Sequence, residues 1–242
     1  VARFDVPAFV SQLREAGAGH LILTSSHAEQ YLACPHPFLN MLLPGRTTER
    51  DLFGELGDAL ATAGIRWIVY YNHACNHHDD LAWERACGYQ GGDLDLFAAR
   101  ILGIVEWISR RYGKKISGWW FDSCYSLDPR GPNRSVSTDL GNWQFPWEAL
   151  SAAVKAGNPD AAVAFNAGID AYFRYSMHQD YHAGETVDLK HPPTETAFSG
   201  DGMREHRWTC VDDLYWGYNQ AEMSFAEPLY TDEQLIDFLR IM

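Results

Sequence analysis

The chain has 242 residues, which suits one large domain such as an α/β barrel of roughly 250 residues. With 46% hydrophobic and 14% aromatic residues it holds material for a sizeable core, which excludes intrinsic disorder as the default. A net charge of −13 argues against a nucleic-acid partner, and no run of about 18 apolar residues offers a membrane span.

In chain order, one element repeats along the first two-thirds: a helix-period segment ends in Gly and a short apolar run follows. The first copy is Val6 to Ala16, Gly17, then Leu21 to Thr24. The second is Glu49 to Ala63, Gly64, then Trp67 to Tyr71. The third is Leu94 to Tyr112, Gly113, then Ile116 to Phe121, and the fourth is Pro146 to Ala156, Gly157, then Ala161 to Phe165. Gly just past a helix end takes the left-handed conformation without a Cβ penalty. Leu52, Leu56 and Leu60 make one apolar stripe, and Phe97, Ile101, Val105 and Ile108 make another. The apolar runs are continuous rather than alternating, as in strands buried on both faces of a parallel sheet.

Beyond Phe165, Met177 to Tyr181 and Trp208 to Val211 read as short strands. Asp232 to Met242 reads as a final helix with Thr231 as its N-cap. The segments after the strands (Ser25 to Thr48, Asn72 to Asp93, Ser123 to Trp143) are long, which suits a barrel whose function lives on its C-terminal face. The fold expected is α/β, a TIM-type (β/α) barrel. It is incomplete in this chain, with the first and last strands missing. Residues 1–242 are then a single catalytic domain, a fragment of a longer protein. An open doubly wound sheet is the rival, but no G-x-G-x-x-G follows the first strand. The five cysteines, Cys34, Cys75, Cys87, Cys124 and Cys210, are odd in number and widely spaced. They read as buried thiols rather than a disulfide framework. No secretory signal is visible, and cytoplasmic and secreted locations both stay open.

The chemistry-bearing residues sit at strand ends. Asp122 closes the run Ile116-Ser117-Gly118-Trp119-Trp120-Phe121, where a barrel strand delivers a side chain into the active-site mouth. Aromatic faces pack on sugars, and glycoside hydrolysis needs a pair of carboxyl groups, roughly 5–5.5 Å apart in a retaining enzyme. Asp180 and Glu185 supply further carboxylates. Glu185 is favoured as the acid/base, ahead of Glu195 and Glu205. His27, Tyr71, Asn72, His73, Trp119, Asn166 and Trp216 are candidate substrate contacts. The His77-His78-Asp79-Asp80 run invites a metal reading, but adjacent residues seldom converge on one ion. Neither a metal nor another cofactor is expected.

Several segments then carry a resemblance. Arg3-Phe4-Asp5, Glu15 to Thr24, Arg50-Asp51-Leu52 and Gly64 to Tyr71 are similar to the opening of the α-L-fucosidase family, glycoside hydrolase family 29. Gly118 to Asp122 resembles its nucleophile strand, and Trp216-Gly217-Tyr218 its late W-G-Y element. Only His27 matches the family's His-His-Asp-Gly-Phe segment, Ser123 replaces the Gly after the nucleophile, and Arg207 to Cys210 lacks the family's Glu. Gly118 to Tyr125, Ala156 to Asp160 and Asp180 to Glu185 are closer to an atypical bacterial branch. The resemblance implies a retaining exo-glycosidase of α-L-fucosidase type acting on a fucosylated glycan or related glycoside, with Asp122 as nucleophile. Two alternatives stand beside it: a degenerate barrel that binds glycan without cleaving it, and a metal-dependent hydrolase using His73, His77, His78 and Asp122. Sugar, linkage and oligomeric state are left open.

Overall fold

The computed structural model describes residues 1–75, 80–124, 143–169, 176–181, 183–186, 210–211, 218–219, 224–225 and 231–241. Six strands form one parallel sheet in chain order: β1 (His20–Ser26), β2 (Arg66–Asn72), β3 (Ile116–Asp122), β4 (Ala162–Ile169), β5 (Ala183–Thr186) and β6 (Cys210–Val211). A separate antiparallel pair joins β7 (Tyr218–Asn219) to β8 (Ser224–Phe225). The helices are α1 (Val6–Glu15), α2 (Pro37–Leu42), α3 (Leu52–Ala63), α4 (Leu81–Cys87), α5 (Leu94–Tyr112), α6 (Trp147–Lys155) and α7 (Asp232–Ile241).

Local chemistry sets the helix starts. The side chains of Asp5, His36, Asp51, Asp80 and Asp93 each accept a first-turn backbone N–H, opening α1 to α5 in turn. At α7, Thr231 Oγ1 accepts Gln234 N–H and the Gln234 side chain accepts Thr231 N–H, a reciprocal cap. The helix-end glycines do two different jobs. Gly64 sits at φ 72° and ends α3 in the left-handed conformation. Gly157 does not. A Cβ there would lie 1.8 Å from the Ser109 carbonyl oxygen, so this glycine lets α6 approach the backbone of α5.

One expected strand is a turn instead. Residues 177–181 do not pair as a strand, and β5 begins at Ala183. Asp180 ties this turn to the start of β4: its N–H donates to Val163 O, and its Oδ2 accepts Val163 N–H at 3.0 Å. Lys155 then pairs with Asp180 at 2.9 Å. These bonds occupy Asp180 at the N-terminal end of β4, so it is not a carboxylate of the site.

The sheet has two faces with different packing. Trp67, Val69 and Tyr71 of β2, Trp119 and Phe121 of β3, and Val163 and Phe165 of β4 join the main core with α3, α5 and α6. Each fully buried aliphatic or aromatic side chain there contributes roughly 1.5–3 kcal/mol. The opposite face holds a smaller cluster of Trp120, Ala164, Tyr181 and Ala183, with Ile68 and Tyr70 against it. Cys34, Cys75, Cys87 and Cys124 are buried free thiols. Burial pushes the Cys34 thiol up to about 12, and it raises Cys75 and Cys124 as well, so these sulfurs stay protonated and inert.

Candidate functional site

Strand alternation and register place the site. In β3, Gly118, Trp120 and Asp122 share one face, because side chains alternate with period two. The β2–β3 register sets Ile68 beside Gly118, Tyr70 beside Trp120 and Asn72 beside Asp122. The face of the smaller cluster therefore ends in Asp122 at the C-terminal edge of the sheet.

Four donors converge on that carboxylate. Asn166 Nδ2 donates to Oδ1 at 2.9 Å, and the Ser123 N–H donates to the same oxygen at 2.7 Å. The Tyr70 hydroxyl donates to Oδ2, which Asn72 Nδ2 also meets at 3.3 Å. Asn72 Nδ2 lies closer to Ser123 Oγ, at 2.9 Å. Asn72 and Asn166 are buried, while Asp122 and Tyr70 are half-buried. The plane of the carboxylate is thus fixed by strands on both sides, with two donors on each oxygen.

Aromatic rings brace this arrangement. Tyr70 stacks on Trp120 with centroids 5.1 Å apart and planes 16° from parallel, and His27 lies over Tyr70 at 6.0 Å and 15°. Held between two rings, Tyr70 has little freedom to swing its hydroxyl off Asp122. The end of β1 supports the same corner. A register shift between Thr24 and Ser26 turns the chain there. Ser25 Oγ then caps Tyr70 O at 2.7 Å, and Ser26 Oγ caps Asn72 O at 2.6 Å.

The structure brings Asp122, Asn72, Asn166 and His27 together and separates three others from them. Tyr71 is fully buried on the opposite face and donates to Gln30 Oε1 at 3.4 Å. Trp119 is fully buried there too. Their neighbours Tyr70 and Trp120 take the places expected of them, because adjacent strand residues face opposite ways. His73 is 3% exposed, and both ring nitrogens are engaged: Nδ1 accepts Cys75 N–H at 3.1 Å, and Nε2 meets Ser123 O at 3.2 Å. Both nitrogens are thus taken up within the fold, and no group of metal-ligating side chains occurs among the described residues. Glu185 lies in β5, with its backbone paired to Ile169 and Cys210. Its side chain, with His77, His78, Glu195, Glu205 and Trp216, lies outside the described residues.

Tyr70, Trp120 and the Ser123 amide were missed in the sequence. The signal for Trp120 was its spacing of two from Asp122; Tyr70 needed the strand register as well.

The loops over this edge are joined by Asp80. Its carboxylate accepts Gln30 N–H at 3.0 Å, Trp83 N–H at 3.1 Å and both terminal nitrogens of Arg46 at 2.8 and 2.9 Å. Burial raises the Asp80 carboxyl, and the bonds from Gln30, Arg46 and Trp83 outweigh it, holding the group below the usual carboxylate range. Arg46 also covers the Tyr31 ring at 4.1 Å.

Comparison with known proteins adds four findings. The family model for alpha-L-fucosidase matches residues 1–240. Tissue alpha-L-fucosidase of Bos taurus is 23% identical over 232 residues, covering 93% of this chain and 43% of that protein. An endo-fucoidan hydrolase of glycoside hydrolase family 107 superposes with a TM-score of 0.62 at 18% identity, over 96% of this chain and 43% of its own. Alpha-L-fucosidase AlfC from Lactobacillus casei, in complex with alpha-L-fucose product, superposes at 0.50 and 18% identity, over 77% of this chain and 60% of its own. At these identities the structural matches speak for the fold. The chain spans less than two-thirds of the length of each of these relatives.

Proposed function

The chain belongs to the alpha-L-fucosidase family, and on that premise we propose that it carries the catalytic face of a retaining exo-glycoside hydrolase of α-L-fucosidase type. The observation that carries the reading is the Asp122 carboxylate, held by Tyr70, Asn72 and Asn166 from the flanking strands. Six parallel strands in chain order support a (β/α) barrel as the scaffold, with this carboxylate at the C-terminal mouth.

In this reading Asn166 and the Ser123 amide hold Oδ1, and Oδ2 attacks the anomeric carbon. The glycosidic C–O bond breaks, its electron pair leaves with the aglycone oxygen, and a glycosyl ester forms on Asp122. Glu185 protonates the departing oxygen and later takes a proton from the water that hydrolyses the ester. Backbone register supports this pairing. Position 183 is level with Asn166, so position 185 lies two strands from Asp122 and two residues further along. In a flat sheet that offset spans about 12 Å between Cα atoms. The retaining mechanism requires the two carboxyl groups to come within roughly 5–5.5 Å. Asn72, beside Oδ2, and His27, over the Tyr70 ring, are the proposed sugar contacts.

The test is Asp122→Ala with an aryl α-L-fucoside. Turnover falls by several orders of magnitude, and azide restores it as a fucosyl azide of inverted configuration. Turnover like that of the unmodified protein removes Asp122 from the nucleophile role.

A further inference from the structure

Two residues other than glycine have positive φ among the described residues: Ala74 at 59° and Ser123 at 60°. Both follow the strand ends that build the site, and such outliers persist only where the surroundings over-determine them. An L side chain in this conformation crowds the next carbonyl, so something must hold it there.

Two adjacent residues, Asn72 and His73, do the holding. Asn72 Oδ1 accepts Ala74 N–H at 2.9 Å, and its Nδ2 donates to Ser123 Oγ at 2.9 Å. His73 Nδ1 accepts Cys75 N–H, which places the ring proton on Nε2, and Nε2–H donates to Ser123 O. The ring is buried, with its edge against Phe97 at 5.7 Å, and its backbone carbonyl accepts Trp83 Nε1–H at 2.8 Å. A rigid imidazole therefore grips the carbonyl of the residue whose amide N–H holds Asp122 Oδ1.

We propose that His73 is a positioning residue for the nucleophile: it clamps Ser123 in the left-handed conformation and so keeps the Ser123 amide aimed at Asp122. The proposal rests on the catalytic reading of Asp122. It also accounts for a serine at a position where glycine needs no clamp.

The experiment is a substitution cycle read by kinetics and by amide exchange. His73→Gln lowers kcat by about 10- to 100-fold through misplacement of the carboxylate, with KM changed by less than about threefold. Adding Ser123→Gly to His73→Gln recovers about tenfold or more of that loss, since glycine takes the conformation unaided. Losses that multiply, or a double variant no better than His73→Gln, overturn the proposal. If His73→Gln does not fold, His73→Gln/Ser123→Gly against Ser123→Gly decides. With glycine at 123 the clamp is dispensable, so the two turn over within about threefold of each other; a further loss of about tenfold or more on removing His73 overturns the proposal. Hydrogen exchange of the segment 121–124 reads the same geometry without substrate. Exchange rises in His73→Gln and returns in the double variant; unchanged exchange in His73→Gln counts against the clamp. An unmodified protein that turns over no fucoside sinks the hydrolase reading, and the exchange result then settles the clamp separately.

Discussion

Replacing Asp80 by Ala tests whether the joint between the loops after β1 and β2 is a structural pin. The carboxylate accepts four hydrogen bonds, and its side chain is 3% exposed against 15% for Arg46. Removing it leaves the Gln30 amide and the Arg46 guanidinium without their partner and removes the N-cap of α4. Losing one partner of a buried pair costs about 3–5 kcal/mol and a cap about 1 kcal/mol. The two overlap in one carboxylate, so the expected loss is about 4 kcal/mol. At roughly 2–4 °C per kcal/mol for a domain of this size, Tm falls by about 8–16 °C. Asp80→Asn keeps the cap and loses the charge, so it falls about half as far. Differential scanning calorimetry measures both. A fall under about 3 °C for the alanine variant would show that the ion pair is solvated and that the loops are pinned elsewhere.

Tyr70→Phe removes one donor to the carboxylate and lowers kcat by roughly 10- to 100-fold, while Tyr71→Phe leaves turnover within about twofold. The reverse order in steady-state assays would show that the other face of β2 serves the site. Gly157→Ala forces a methyl group into the Ser109 carbonyl and destabilises by about 3 kcal/mol or more in urea unfolding. A loss under about 1 kcal/mol would mean that α5 and α6 part easily. His36 is buried, which lowers its imidazole below the ordinary value; its bond to Ile104 O opposes this but does not cancel it. The unfolded chain therefore takes up the proton first as acid is added. His36 contributes its full stability above about pH 6.5, and that share declines as pH falls further. His36→Asn keeps a capping oxygen, and its unfolding free energy should fall less steeply than the native protein's between about pH 7 and pH 5. Parallel profiles would place the titration elsewhere.

The long-range outline was readable where the pattern was strong. Leu94 to Tyr112 matches α5 end to end, because Phe97, Ile101, Val105 and Ile108 form one buried stripe between Asp93 and Gly113. Asp122 was visible as a carboxylate closing an apolar strand. The choice within the aromatic pairs was not. Tyr70-Tyr71 and Trp119-Trp120 each put one ring on each face, and a continuous apolar strand hides which is which. Alternation from Asp122 identifies Trp120, whereas Tyr70 follows only from the pairing of β2 with β3. The helices α2 and α4 are too short to show a stripe, although His36-Pro37 and Asp80 mark their starts. The turn at 177–181 looked like a strand because nothing local announces that Asp180 bonds back to Val163.

Among the described residues, the carboxylate at the end of β3 is oriented by side chains from β2 and β4 and by the amide that follows it, all within one residue of a strand. On the proposed reading, a protein engineer could accordingly vary the segment between β1 and α3, sparing His27, Gln30 and Arg46, to recruit new leaving groups while the proposed nucleophile keeps its aim. Diversification by loop exchange is the evolutionary freedom such a chassis confers.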